Sequence, residues 1–385
     1  MLLLLGLLCL LALCTIVDVS GNPLPKNDGI SLTEHMVASS VDGKPQPLVI
    51  GVPDGLEDAP TPLLVGIHTW SADYRQMVAH FAPLCARYGW LMVLPHFRGP
   101  NLDSNPCCTE AAGSLLAQHD VVDAVRHMQT NYHVDNSRLY MLGGSGGGHM
   151  SLMMAGKYPD LWAGVSAWCP VSHLREWYEQ GNAYAQHVAA CCGGEPEDSP
   201  EVDFEYLSRS PRTFLTNAAN TNLQIAHGDK DPTIDVSQSW RTYEALRPVR
   251  HRAEFRSWTG GHDLVEELGF EWLARQVKPS EPPAEQHIVT DEGKWYFWLY
   301  VEPDAPLTLA RCEAVMEPGP PRTLRVKIAH SAVTRVRLAD LGVLALVQAT
   351  REGQPMAAAE YRVRDGVLEL PAVGETTDFT FTFGA

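Results

Sequence analysis

Short runs of consecutive apolar residues, each closed by glycine, histidine or a polar turn, recur along the first two-thirds of this chain. Leu63-Leu64-Val65-Gly66-Ile67, Trp90-Leu91-Met92-Val93-Leu94, Ala163-Gly164-Val165-Ser166-Ala167 and Leu223-Gln224-Ile225-Ala226 are examples. Runs without strict polar alternation predict strands buried on both faces, as in a parallel sheet. Between them lie segments of helical period. Ala111 to Gln129 sets Val121, Val122, Val125 and Met128 on one face, and His149 to Lys157 predicts a second helix. Asp135-Asn136-Ser137 is expected as a turn before the strand Arg138–Leu142, and residues 22–60 as an antiparallel lead-in. Strands alternating with helices imply a mostly parallel sheet covered on both sides.

The pattern changes after Gln276. Lys278-Pro279-Ser280-Glu281-Pro282-Pro283 predicts a linker. Beyond it, Lys294–Val301, Leu324–Ile328, Val333–Leu338, Val343–Val347, Tyr361–Arg364, Val367–Leu370 and Phe379–Phe383 follow at short intervals with turn residues between. Short strands so spaced predict a β-sandwich of about a hundred residues. The expected division is a leader over residues 1–21, an α/β unit over 22–277, a linker over 278–285 and the sandwich over 286–385.

Chemistry concentrates at strand ends. Gly143-Gly144-Ser145-Gly146-Gly147 joins a strand to a helix. A G-x-S-x-G there is a nucleophile elbow, whose tight turn demands small neighbours and whose helix points its positive end at the serine. A serine needs a base and the base an orienting acid. The strand at Leu223 runs into His227-Gly228-Asp229-Lys230-Asp231, and the strand Ala253–Trp258 into Thr259-Gly260-Gly261-His262. Nucleophile, acid and histidine therefore come in α/β-hydrolase order, at the sheet edge where such sites lie. The oxyanion hole is expected from the Gly146 N–H and a donor after the strand Leu63–Ile67, at Trp70 or Ser71.

The pattern H-G-x-x-D-x-x-I at His227–Ile234, the later Gly-Gly-His and the Phe97-Arg98-Gly99 segment resemble the catalytic domain of the prolyl oligopeptidase family over roughly residues 60 to 275. The resemblance implies Asp231, rather than Asp229 or Asp235, as the acid. It departs in two respects. Only about forty residues lie between the expected mature start and the first core strand, which leaves no room for that family's propeller, and His68-Thr69-Trp70 stands where many members have His-Gly-Gly. Compact secreted esterases share the same motifs.

The expected function is an exported serine hydrolase cleaving a carboxylic ester, acyl or acylated polysaccharide, through Ser145, His262 and Asp231. The alternatives are a peptidase on short peptides and an inactive binding protein. The substrate-binding residues are open. Trp177, Tyr178 and Tyr184, in the long insertion from Pro170 to Asn222, either line an acyl or sugar pocket or pack the insertion itself. His227, His149 and His68 are expected as bracing residues. No cofactor is implied, and without an H-E-x-x-H or paired C-x-x-C no metal is expected.

The formal charge of −17 argues against nucleic acid and anionic membrane partners. Leu2 to Val17 is almost wholly apolar, with Val19-Ser20-Gly21 as a cleavage site; it predicts a secretory signal and no integral membrane association after cleavage. Seven cysteines remain beyond it, and in an oxidising compartment a bridge between the 107–108 and 191–192 pairs is expected.

Overall fold

The computed structural model describes residues 24–384 except residue 344; the leader-like run lies outside the described residues. Eight strands form one sheet: β1 (Ile30–Ala38), β2 (Pro45–Pro53), β3 (Thr61–Ile67), β4 (Leu91–Pro95), β5 (Val134–Gly144), β6 (Gly164–Trp168), β7 (Leu223–Gly228) and β8 (Ala253–Trp258), in the order β1-β2-β4-β3-β5-β6-β7-β8. β2 runs antiparallel to β1 and β4, and every pairing from β4 to β8 is parallel. β3, β4, β6 and β7 are buried along their whole length, which is why they lack polar alternation.

Helices cover both faces. α1 (Val78–Tyr88) and α8 (Glu266–Leu273) pack on one side, where Phe81, Trp90, Tyr140 and Phe270 form the core. α2 (Leu115–Asn131) and α3 (Gly146–Lys157) pack on the other, against Val65, Val93, Met141 and Ile225. Ser114 caps α2 by accepting the Ala117 N–H, so the helix begins four residues later than its apolar pattern suggested. Asp135-Asn136-Ser137 is not a turn; it lies within β5.

The insertion after β6 folds as α4 (Leu174–Glu179), α5 (Ala185–Cys192) and α6 (Pro200–Ser208), and α7 (Ser237–Glu244) follows β7. A small core of its own, with Trp70, Trp177, Val188, Cys191, Cys192 and Tyr206, joins the insertion to the rest. Cys108, Cys191 and Cys192 are free thiols, so the expected bridge between the two pairs does not form. Cys191 and Cys192 are spent on this core, and Cys108 donates to the Ala190 carbonyl at 3.5 Å.

The C-terminal strands are β9 (Glu285–Thr290), β10 (Lys294–Tyr296), β11 (Leu299–Pro303), β12 (Ala310–Glu317), β13 (Arg322–Ala329), β14 (Ser331–Arg337), β15 (Leu346–Arg351), β16 (Gln354–Pro355), β17 (Arg362–Arg364), β18 (Val367–Leu370) and β19 (Thr377–Phe383). They form two antiparallel sheets, β10-β11-β14-β18-β17 and β16-β15-β19-β13-β12-β9. β12 and β13 alternate buried and exposed residues, and their inner faces, with Phe379 and Phe381 of β19 in the same sheet, share one core with Tyr296 and Trp298 from the other.

This region is tied to α3. Lys157, at the end of α3, is fully buried and ion-paired with Asp291 and Glu292 of the β9–β10 turn. Burial, with Lys294 nearby, pulls the Lys157 ammonium down to about 7. Removing one partner of a buried pair leaves the other uncompensated. Lys157→Ala is expected to destabilise the protein by about 3–5 kcal/mol, measured by urea unfolding against wild type.

Candidate active site

Each site residue sits where a strand ends. Ser145 follows β5 with φ 58°, a left-handed conformation rare outside glycine, and its N–H is held by the Trp168 carbonyl at 2.8 Å. The turn is closed on every side: a Cβ at Gly146 would overlap the backbone N and Cα of Trp70. This contact places the start of α3 directly against the loop after β3, where the two expected oxyanion donors lie. Gly146→Ala keeps its own N–H, but its Cβ would push the Trp70 backbone away and misplace the donor expected there, so kcat is expected to fall by about 10²–10³-fold with little change in KM; steady-state kinetics check it.

Asp231 lies in the loop after β7. Its Oδ1 accepts the N–H of Thr233 at 2.8 Å and of Ile234 at 3.0 Å. Its Oδ2 accepts from His262 Nδ1 at 2.6 Å, so the imidazole carries its proton there. Burial alone raises the Asp231 pKa, but the bonds from His227, His262 and the two backbone N–H groups outweigh it and hold the carboxyl well below the usual range. Asp231 is thus a fixed anion beside the histidine.

The two neighbouring acids are placed differently. Asp229 braces the histidine loop, accepting from Thr259 Oγ1 and Gly260 N, each at 3.3 Å. Asp235 accepts the Ser237 N–H at 2.8 Å. The buried His227 stands 3.2 Å from Asp231 Oδ2 through Nε2, which also donates to the Ile234 carbonyl, while Nδ1 accepts from Ser239 Oγ at 2.7 Å. It is a second donor to the acid, a role its strand-end position did not reveal.

Ser145 and His262 line one cavity of about 220 Å³ with Thr69, Trp70, Ser71, Cys169, Tyr184 and Leu264. Among the described residues no hydrogen bond joins Ser145 Oγ to the imidazole. Such bonds commonly tighten only with substrate in place. Tyr184 comes from the insertion and stacks on Trp177 at 5.2 Å, and Trp177 meets Trp70 edge-on at 5.0 Å. Trp177 is therefore packing, and Tyr184 is pocket wall. Cys169, with φ 43°, was not anticipated. Its only sequence signal is its place directly after β6, at the same sheet edge as Ser145. Burial pushes its thiol up to about 12, so it is no nucleophile at neutral pH.

The loop behind the oxyanion donors is fixed by charge and stacking. His68 stacks on Phe97 at 4.0 Å and bonds the Thr69 and His96 carbonyls. Arg98 is buried and pairs with Asp42, Glu110 and Asp120. Its hydrogen bond, against the burial cost, lowers the Asp42 pKa from 3.8 to about 2. A depressed carboxylate pKa means stability that is full above the unfolded value and lost as pH falls through the folded one. Asp42→Asn is expected to flatten the fall in stability between about pH 4 and 2, read from thermal melts across that range.

Comparison with known proteins agrees with this architecture. A model of the prolyl oligopeptidase family matches residues 80–261, a span that contains Ser145 and Asp231. The uncomplexed acylaminoacyl peptidase of Pyrococcus horikoshii superposes with a TM-score of 0.53 at 17% identity, over 67% of this chain and 43% of that one. The chain has the α/β-hydrolase fold. Among curated relatives, acetylxylan esterase A of Emericella nidulans is 26% identical over 203 residues, 50% of this chain. Feruloyl esterase B of Talaromyces stipitatus is 25% identical over 238 residues, 58% of this chain. The chain spans 64% of the length of each of these two esterases. Among the described residues, no helix is long and apolar enough to cross a membrane.

Proposed function

We propose that this protein is an exported serine hydrolase that cleaves carboxylic esters through Ser145, His262 and Asp231. The observation that carries the reading is the 2.6 Å bond to a buried, strongly acidic Asp231 from His262, which lines the cavity that holds Ser145. Ser145 attacks the carbonyl carbon, and His262 takes its proton through Nε2. Asp231 fixes the imidazole tautomer and stabilises the charged ring. The N–H groups of Gly146 and of Trp70 or Ser71 receive the oxyanion. The histidine then protonates the leaving alcohol, and water resolves the acyl-enzyme by the same route. Export rests on the leader-like sequence alone.

Two observations favour an ester. The curated relatives include acetylxylan and feruloyl esterases, and a cavity of about 220 Å³ suits a short acyl group better than a peptide segment. The match to the prolyl oligopeptidase family keeps peptide amides as the second reading. The test compares short-chain acyl esters and acetylated or feruloylated polysaccharide with proline- and alanine-containing peptide amides, each against Ser145→Ala. Ser145-dependent turnover of esters with inert amides is the expected result; efficient amide turnover overturns the ester assignment.

A further inference from the structure

Three donor types meet beside the nucleophile. Cys169 Sγ, a carboxylate oxygen of Asp231 and a ring nitrogen of His262 all lie within 4.8 Å of one another. Asp231 is fixed by its bonds to the Thr233 and Ile234 N–H groups, and Cys169 by a left-handed backbone that brings its thiol to within 3.5 Å of the Asp263 carbonyl. Left-handed residues other than glycine cost energy and persist where the surroundings over-determine them. The cluster opens on the cavity that admits substrate, so an ion from solution can reach it.

Sulfur, oxygen and imidazole together form a borderline-soft donor set, the kind that Zn²⁺ and Cd²⁺ prefer and Mg²⁺ and Ca²⁺ do not. Tetrahedral bonds of about 2.0–2.3 Å set neighbouring donors roughly 3.3–3.7 Å apart, so the three ligand atoms, now within 4.8 Å, close in, and a metal on Nδ1 displaces the 2.6 Å bond from His262 to Asp231. His262, whose side chain is 25% exposed, is free to supply that movement. A water completes the fourth position.

We infer that Cys169, Asp231 and His262 form an inhibitory site for a thiophilic divalent cation. Binding releases one proton, from the thiol, as the metal–sulfur bond forms. On Nε2 the metal occupies the lone pair that accepts the Ser145 proton. On Nδ1 it drives the ring proton to Nε2, with the same result. The base is lost in either case. That consequence rests on the role given above to His262; the binding itself does not.

The test uses the full chain and the metals alone. Cd²⁺ is titrated in while the ultraviolet thiolate-to-metal charge-transfer band is followed, and Zn²⁺ is titrated against hydrolysis. Wild type and Ser145→Ala are expected to give the same band. Cys169→Ala and the size-matched Cys169→Ser are expected to lose it. In these variants the Zn²⁺ needed for half-inhibition, relative to each protein's own metal-free rate, is expected to rise by about a hundredfold or more. A band that survives in both Cys169 variants, or Zn²⁺ inhibition equal in wild type and variants, overturns the site. If no substrate is turned over, the proposed activity fails while the Cd²⁺ titration still decides whether the site exists.

Discussion

Ser145→Ala is expected to lower kcat by roughly 10⁵–10⁶-fold with the fold intact. Alanine keeps the Cβ and removes only the hydroxyl, so neither the buried β5 nor the close contact of Gly146 with Trp70 is disturbed. What remains is the oxyanion pair and the binding cavity, which still act on direct attack by water. The expected signature is a collapse of kcat with KM and thermal stability near wild type. A variant that keeps more than about a hundredth of the rate removes Ser145 as the nucleophile.

Asp231→Asn is expected to cost roughly 10⁴-fold in kcat. The carboxylate accepts the Nδ1 proton of His262 and so leaves the Nε2 lone pair facing the nucleophile. An amide can instead donate to Nδ1 and favour the opposite tautomer, which carries its proton on Nε2 and cannot act as base. The same change breaks the contact with His227 and weakens the turn at Thr233 and Ile234, so a modest loss of stability accompanies it. Asp229→Asn is the paired control. Its two bonds at 3.3 Å brace the loop rather than the base, and its effect is expected to stay within about tenfold. Parallel kinetics on the two variants separate the acid from its neighbour.

The central sheet was legible because parallel strands buried on both faces leave unbroken apolar runs, and β3, β4, β6 and β7 are such strands. The elbow was legible because a Cβ at Gly143, Gly146 or Gly147 would run into neighbouring backbone. Asp231 and His262 were legible as residues of the loops after the buried β7 and the edge strand β8, and the structure brings them into contact. Other parts left no local signal. Asp135-Asn136-Ser137 has turn composition, yet the pairing of β5 with β3 keeps it extended. The start of α2 was set by the Ser114 cap rather than by its apolar face. The two cysteine pairs suggested a bridge because both were expected in loops at the same sheet edge, whereas the packing of Cys191 and Cys192 into the insertion's core is a tertiary outcome. The division of labour between Trp177 and Tyr184 depends on how the insertion packs on the loops after β3 and β7, where Trp177 meets Trp70 and the Thr233 carbonyl, and no periodicity encodes that. Nothing in the residues around Cys169 announces its left-handed backbone or its approach to the acid and the histidine.

The central claim is that Ser145 is activated by His262 and Asp231. The most direct measurement is labelling of the purified protein with a fluorophosphonate, followed by peptide mapping. The account predicts one adduct on Ser145, slowed by more than about a hundredfold in Asp231→Asn and absent in Ser145→Ala. Labelling on another residue, or a rate unchanged by Asp231→Asn, would contradict it.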